Sequence, residues 1–172
     1  AWAKVAPMRL PVLYQDEWLI AVHKPSGLVV HASEDAPLRD TVIRRLRSQT
    51  GRKVFPCHRL DRPTSGLLLF AFSGQLARPV FEAFERREIR KSYWVLCRGY
   101  LGEDQSELDR PIDGRSALTR FASLARFLVP VGVGRYPSSR YSLLEARPVS
   151  GRRHQIRRHL KHFGHPVIGD SQ

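Results

Sequence analysis

Apolar residues recur along the chain with two different spacings, and each spacing predicts a different kind of element. The short runs Trp18-Leu-Ile-Ala-Val22, Leu28-Val-Val-His31, Tyr93-Trp-Val-Leu-Cys-Arg98 and Tyr141-Ser-Leu-Leu-Glu-Ala146 are bounded by turn formers and predict strands. Gly66-Leu-Leu-Leu-Phe-Ala-Phe72 is apolar without interruption and predicts a strand buried on both faces. A period of three to four predicts helices. Val42, Ile43 and Leu46 follow a capping Asp40 and stop before Gly51; Leu76, Val80 and Phe84 predict a helix over 75–89. Ile156, Leu160 and Phe163 predict another over 152–163, ended by Gly164 and Pro166. Lys24-Pro-Ser-Gly27 reads as a turn, with Pro setting φ and Gly tolerating a positive one. Strands outnumber helices and come in adjacent runs, so the expected class is α+β, with a mixed, mainly antiparallel sheet and flanking helices.

Composition adds a direction. The 172 residues carry 29 basic and 16 acidic side chains, a formal net charge of +13, and 24 of the basic residues are arginine. Nine of those net charges lie from Gly114 to Gln172, where Glu145 and Asp170 are the only acids. Such a surface suits a polyanionic partner, and guanidinium groups pair with phosphates and stack on bases. A hydrophobic share of 42% fits a folded chain of this length without disulfides or metal. No apolar run approaches the roughly 20 residues of a membrane span, and two cysteines, Cys57 and Cys97, fit a reducing compartment. Residues 1–7 precede the only methionine and are expected to be a tag or a disordered arm.

The densest chemistry is His58-Arg-Leu-Asp-Arg-Pro-Thr-Ser-Gly66, a turn-rich stretch leading into the apolar run. It places Asp61 on a loop at a sheet edge, between Arg59 and Arg62. A carboxylate among arginines is favoured in its ionised form and can act as nucleophile or base; the plainer reading is a structural Asp that caps the turn. In Gly151-Arg-Arg-His-Gln-Ile-Arg-Arg-His-Leu160, the predicted helix repeats Arg153, Arg157 and Lys161 every four residues, giving a basic stripe able to meet phosphates or neutralise a carboxylate. Its plainer reading is a solvated face. His154, His159, His162 and His165 lack an accompanying Glu or Cys and face apart around the helix, so no metal site is expected. Cys57 beside His58 is a poor thiol dyad, since strand neighbours point to opposite faces. Tyr93 and Trp94 offer aromatic faces for a base. No glycine-rich phosphate loop is present, which leaves nucleoside triphosphate chemistry without support.

These strings together resemble the RluA family of RNA pseudouridine synthases. The resemblance rests on the nine residues from His58 to Gly66, on Lys24-Pro-Ser-Gly27, Lys91-Ser-Tyr93, Gly151-Arg-Arg-His-Gln-Ile-Arg157 and His165-Pro-Val-Ile-Gly-Asp170, in that order. Gly134-Arg-Tyr-Pro-Ser-Ser-Arg-Tyr141 and Arg152 to Leu160 are similar to the branch that modifies uridine 65 of tRNA.

The resemblance implies the pseudouridine synthase catalytic fold with a central basic cleft, over residues 8–172, lacking a C-terminal portion and without an S4 domain. It implies isomerisation of uridine to pseudouridine in RNA, most naturally tRNA, by a cytoplasmic monomer with no cofactor, metal or membrane. By the same resemblance Asp61 is the catalytic nucleophile, Tyr93 packs on the target base, and Arg157 is the basic residue paired with the aspartate. Ile156 lines the pocket, and Arg59 holds the target nucleotide out of its helix. Beside these, Arg62, Arg153 and His58 are expected to bind substrate. Flipping is required because a side chain cannot reach the glycosidic bond within a stacked duplex. Ribosomal RNA as substrate, and an RNA-binding protein of the same fold without turnover, are the alternatives. An Asp-dependent glycosylase would need a water-activating partner that the sequence does not supply.

Overall fold

The computed structural model of the chain describes residues 9–32, 40–102, 105–132, 134 and 136–170; the arm expected at 1–7 lies outside them. The chain divides into two compact units, the first ending at Arg86 and the second beginning at Arg87.

The N-terminal unit holds β1 (Val12–Gln15), β2 (Leu19–Lys24), α1 (Val42–Thr50), β3 (Phe55–Pro56), β4 (Gly66–Ala71) and α2 (Gly74–Glu85). Its four strands form one sheet in the order β1-β2-β4-β3, every ladder antiparallel. Asp16 closes the turn from β1 to β2, its Oδ1 accepting from the backbone N–H of Trp18 (2.8 Å) and Leu19 (2.7 Å). Ile20, Val22, Leu68 and Phe70 are fully buried in the sheet.

Three expectations are corrected in this unit. The β4 run is not buried on both faces: Leu67 is 55% exposed, opposite exposed His23, because an antiparallel sheet needs only one covered face. Leu28–His31 is not a strand. The carbonyls of Val29 and Val30 instead accept the N–H groups of Val42 and Ile43 at the start of α1. The cap of α1 is Thr41, not Asp40, since the hydroxyl of Thr41 reaches the Arg44 N–H (3.1 Å) while Asp40 binds Arg45. Gly51, at φ 65°, ends the helix as expected. In α2, Ala77, Val80 and Phe84 pack on Cys57 and Ala71, whereas Leu76 faces outward.

The C-terminal unit holds β5 (Tyr93–Arg98), β6 (Gln105–Asp109), β7 (Leu118–Val129), β8 (Ser139–Pro148) and α3 (Gln155–His162), with sheet order β5-β8-β7-β6. These ladders too are antiparallel. Cys97, Leu108, Phe121, Leu144, Ala146 and Leu160 form its core, with Tyr93, Val95 and Ile156 packed against it. The architecture is therefore α+β. Among the described residues the one parallel pairing is the isolated bridge Val29–Thr41.

Two strands here carry no regular apolar alternation. Leu108 is the only buried residue of β6. In β7 a bulge at Leu124 breaks the alternation, and one of its inward positions is the fully buried Thr119. Helix α3 is shorter than predicted: Arg152 and Arg153 lie before it, and Phe163 is 43% exposed rather than core.

Candidate active site

In the N-terminal unit the site is a turn held by another turn. The Thr64 N–H closes the loop on the Asp61 carbonyl (3.1 Å). The Gly27 N–H donates to the Arg62 carbonyl (2.8 Å), and the Ser26 hydroxyl to that of Pro63 (2.7 Å). The Arg62 Nε returns a bond to the Gly27 carbonyl (3.1 Å). Beneath them Lys24 is fully buried, and its Nζ donates to the carbonyls of Leu28 (2.7 Å), Pro25 (3.0 Å) and Arg62 (3.1 Å). An ammonium has three N–H donors, and all three are used.

That arrangement sets the electrostatics around Asp61. Burial pushes the Lys24 ammonium down from its ordinary 10.5 to about 8, while the negative charge of Asp61 pulls it back up. The carbonyl partners favour the charged form as well, so the turn that carries the half-buried Asp61 is built around a buried cation. Lys24 is a site residue that the sequence pattern missed, because a Lys-Pro-Ser-Gly string reads as a solvent-exposed turn.

The other N-terminal candidates fall into two groups. Arg59 and Arg62 are exposed, although Arg62 also serves the clamp through its Nε and its carbonyl. His58 has a structural position: its Nε2 accepts from the Leu69 N–H (3.1 Å), and its ring packs on Phe84 at 4.8 Å. Since that nitrogen accepts, the ring proton is on Nδ1. It ties the start of the Asp61 loop to β4. Neighbouring Cys57 is buried with its thiol pushed up to about 11 by desolvation, which leaves it a poor nucleophile.

In the C-terminal unit the candidates are placed by α3. His154, at φ 55°, precedes the helix without a side-chain cap. Gln155 does the anchoring instead. Its Oε1 accepts from the Ser150 hydroxyl (2.7 Å) and the Arg152 N–H (3.0 Å), and its Nε2 donates to the Leu118 carbonyl and the Thr119 hydroxyl, both at 2.9 Å. His159 extends the network, with Nδ1 on the Thr119 hydroxyl (3.0 Å) and Nε2 donating to the Arg110 carbonyl (3.0 Å). This buried chain fixes the roll of the helix. It turns Ile156 onto the core and holds Arg157 half-buried, with its Nε and Nη2 both donating to the carboxylate of Asp170.

The expected basic stripe therefore does not form as one helical face. Arg153 is exposed in the turn before the helix, Lys161 is exposed on it, and Arg157 is engaged by Asp170. Tyr93 is half-buried against the core at the start of β5, whereas its neighbour Trp94 is 78% exposed. The histidines serve separate partners, His162 meeting Arg110 and His165 the Arg98 carbonyl.

A strongly basic α+β chain that carries Asp61 on a clamped turn belongs to the class of cationic proteins suited to a polyanion. More narrowly, the chain belongs to the RNA pseudouridylate synthase family, whose model matches residues 18–162. It is similar to proteins named tRNA pseudouridine synthase C. These include one from Pectobacterium carotovorum (44% identical over 94% of this chain and 47% of that protein) and one from Vibrio parahaemolyticus (40%, covering 97% and 74%). A third is from Pasteurella multocida (44%, covering 96% and 74%). The chain thus spans about half the length of the first of these relatives and about three quarters of the other two. Its fold resembles two solved human structures. Human RNA Pseudouridylate Synthase Domain Containing 1 has a TM-score of 0.79 at 24% identity, covering 96% of this chain and 69% of that one. Domain Containing 4 gives 0.73 at 25%, covering 93% and 67%. No helix among the described residues is long and apolar enough to cross a membrane.

Proposed function

We propose that the chain isomerises uridine to pseudouridine in tRNA, at the uridine-65 position, with Asp61 as the nucleophile. The observation that carries this reading is the Asp61 turn itself, locked by the buried Lys24 and the 25–28 turn in a chain of this family. Relatives named for a tRNA activity support the choice of RNA.

Chemically, the reaction breaks the bond from N1 of uracil to the ribose anomeric carbon and forms one from C5 to that carbon. C5 loses a proton and N1 gains one, so atoms and oxidation state balance without a co-substrate. The carboxylate can attack the anomeric carbon as N1 leaves, hold the sugar while the base turns, and itself leave as C5 bonds to that carbon. Tyr93 packs on the base, Ile156 lines the pocket, and Arg157 supplies the cation of the reacting centre. Arg59, Arg62 and Arg153 bind the flipped nucleotide and its phosphates, and His58 supports their loop. Residues 8–172 act as one catalytic domain, as a cytoplasmic monomer.

The test incubates the protein with unmodified tRNA and maps pseudouridine at nucleotide resolution. One modified uridine is expected. Asp61→Asn should lower kcat by about three orders of magnitude or more while RNA affinity stays within a fewfold. Equal product from both proteins ends the catalytic claim, and product only on ribosomal RNA transcripts moves the substrate.

A further inference from the structure

Helix α3 does not simply stop. Gly164, at φ 83°, donates its N–H to the Lys161 carbonyl (3.2 Å), and His165 donates to that of Leu160 (2.8 Å). That pair of bonds is a Schellman ending, which turns the chain back on itself. The segment that follows lies along the outer edge of β5. The Arg98 N–H donates to the Pro166 carbonyl and the Ile168 N–H to that of Leu96, both at 2.9 Å, with a bridge between Cys97 and Val167. The His165 ring donates from Nδ1 to the Arg98 carbonyl (3.1 Å), and Val167 packs on the core. Gly169, at φ 79°, and a bond from the Asp170 N–H to the Val167 carbonyl (3.3 Å) then turn the chain once more. The turn delivers the Asp170 carboxylate to Arg157, with side chains only 12% and 17% exposed.

We propose that Asp170 is the positioning residue of Arg157, fixing the plane of its guanidinium for the reaction. The proposal deepens the reading of Arg157 as the cation of the reacting centre and rests on it. Two parallel bonds, to Nε and Nη2, remove the freedom of the guanidinium to rotate about its last side-chain torsion. A planar fork meets a carboxylate or phosphate well in one plane only, so an arginine that must act on developing charge gains from being held. The partner charge also matters: an arginine already paired is a weaker lure for RNA phosphates, so its use lies in orientation more than in affinity. Burial of both side chains, and a strap of six residues hydrogen-bonded to β5, make the arrangement rigid.

The experiment measures steady-state pseudouridine formation on a tRNA transcript by the full chain carrying Asp170→Asn, Asp170→Glu, Arg157→Ala, and Asp170→Asn with Arg157→Ala. Asp170→Asn should lower kcat about tenfold or more with KM within about twofold, because the loss falls on the transition state. Asp170→Glu keeps the charge but displaces it by one methylene, and should lie between Asn and the wild type. In the Arg157→Ala background, Asp170→Asn should change kcat less than about twofold, since a residue acting through Arg157 has nothing left to act on. Multiplicative effects in the double variant overturn the proposal, as does a fall in KM-limited rate alone. If Asp170→Asn does not fold, the Glu variant decides: an unchanged kcat refutes positioning and an intermediate one supports it. A wild type that makes no pseudouridine overturns this assignment together with the proposed function, whereas an active wild type with additive variants overturns this assignment alone.

Discussion

The two units hold their charged candidates by opposite means. Around Asp61 the fixing groups are backbone carbonyls, three of them gathered by a single buried ammonium. Around Arg157 they are side chains: the Gln155 network sets the helix, and the Asp170 carboxylate takes the guanidinium. A backbone clamp constrains the path of a turn whatever side chains it displays. A side-chain clamp constrains one residue and depends on the identity of each partner. The first is therefore expected to fail as a unit when the Lys24 side chain is removed, and the second to fail piece by piece.

Lys24→Met probes the backbone clamp hardest. Three charge-assisted bonds vanish and only one ammonium's desolvation cost is recovered, so a loss of about 3 kcal/mol is expected in denaturant unfolding. The pH dependence adds a signature. The folded-state value of Lys24 lies below its ordinary 10.5, near 8, so the unfolded chain holds that proton more tightly. Stability therefore carries the full charging cost below about pH 8 and rises as pH climbs toward 10.5. Lys24→Met should remove that rise; a variant whose stability curve keeps it would show that another group is responsible.

Gln155→Ala probes the side-chain clamp. It leaves the Leu118 carbonyl, the Ser150 hydroxyl and the Arg152 N–H to find new partners, and about 2 kcal/mol of stability should go. Amide exchange should quicken in α3 and leave the N-terminal sheet unchanged. Uniform quickening along the whole chain would mean that the two clamps are not separable. The smallest effect concerns helix starts. Thr41→Ala removes the cap that α1 has and α3 lacks, and about 1 kcal/mol is expected. Asp40→Ala should cost less, and the reverse order would restore Asp40 as the cap.

Legibility in the sequence followed the source of each constraint. The α+β class followed from strands β2, β4, β5 and β8, legible as short apolar runs between turn formers, and from three helices, legible from an apolar spacing of three to four. Strands β6 and β7 could not. A polar strand with one buried leucine, and a strand whose bulge shifts its alternation, become strands only because a neighbour offers a ladder. Asp61 was legible as a charged residue on a turn between arginines. Lys24, Gln155, His159 and Asp170 were not legible as the groups that hold the site, although all but Gln155 are titratable and easily noticed.

By itself, then, the sequence determined which segments have a face to bury, where turns must fall, and which unusual strings of charge and aromatic residues the chain displays. Periodicity and turn chemistry are local, and a local signal needs no partner to be read. Tertiary structure alone decided what each charge does. Lys24 became a buried cation under the Asp61 turn rather than a solvated lysine, and Arg157 became half of a shielded pair rather than one rung of a basic stripe. The physical reason is the same in both cases. The energy of a charge depends on which dipoles and countercharges lie within a few ångströms and how little water remains, and decisive neighbours come from far along the chain: the Arg62 carbonyl lies 38 positions from Lys24, and the Asp170 carboxylate 13 from Arg157.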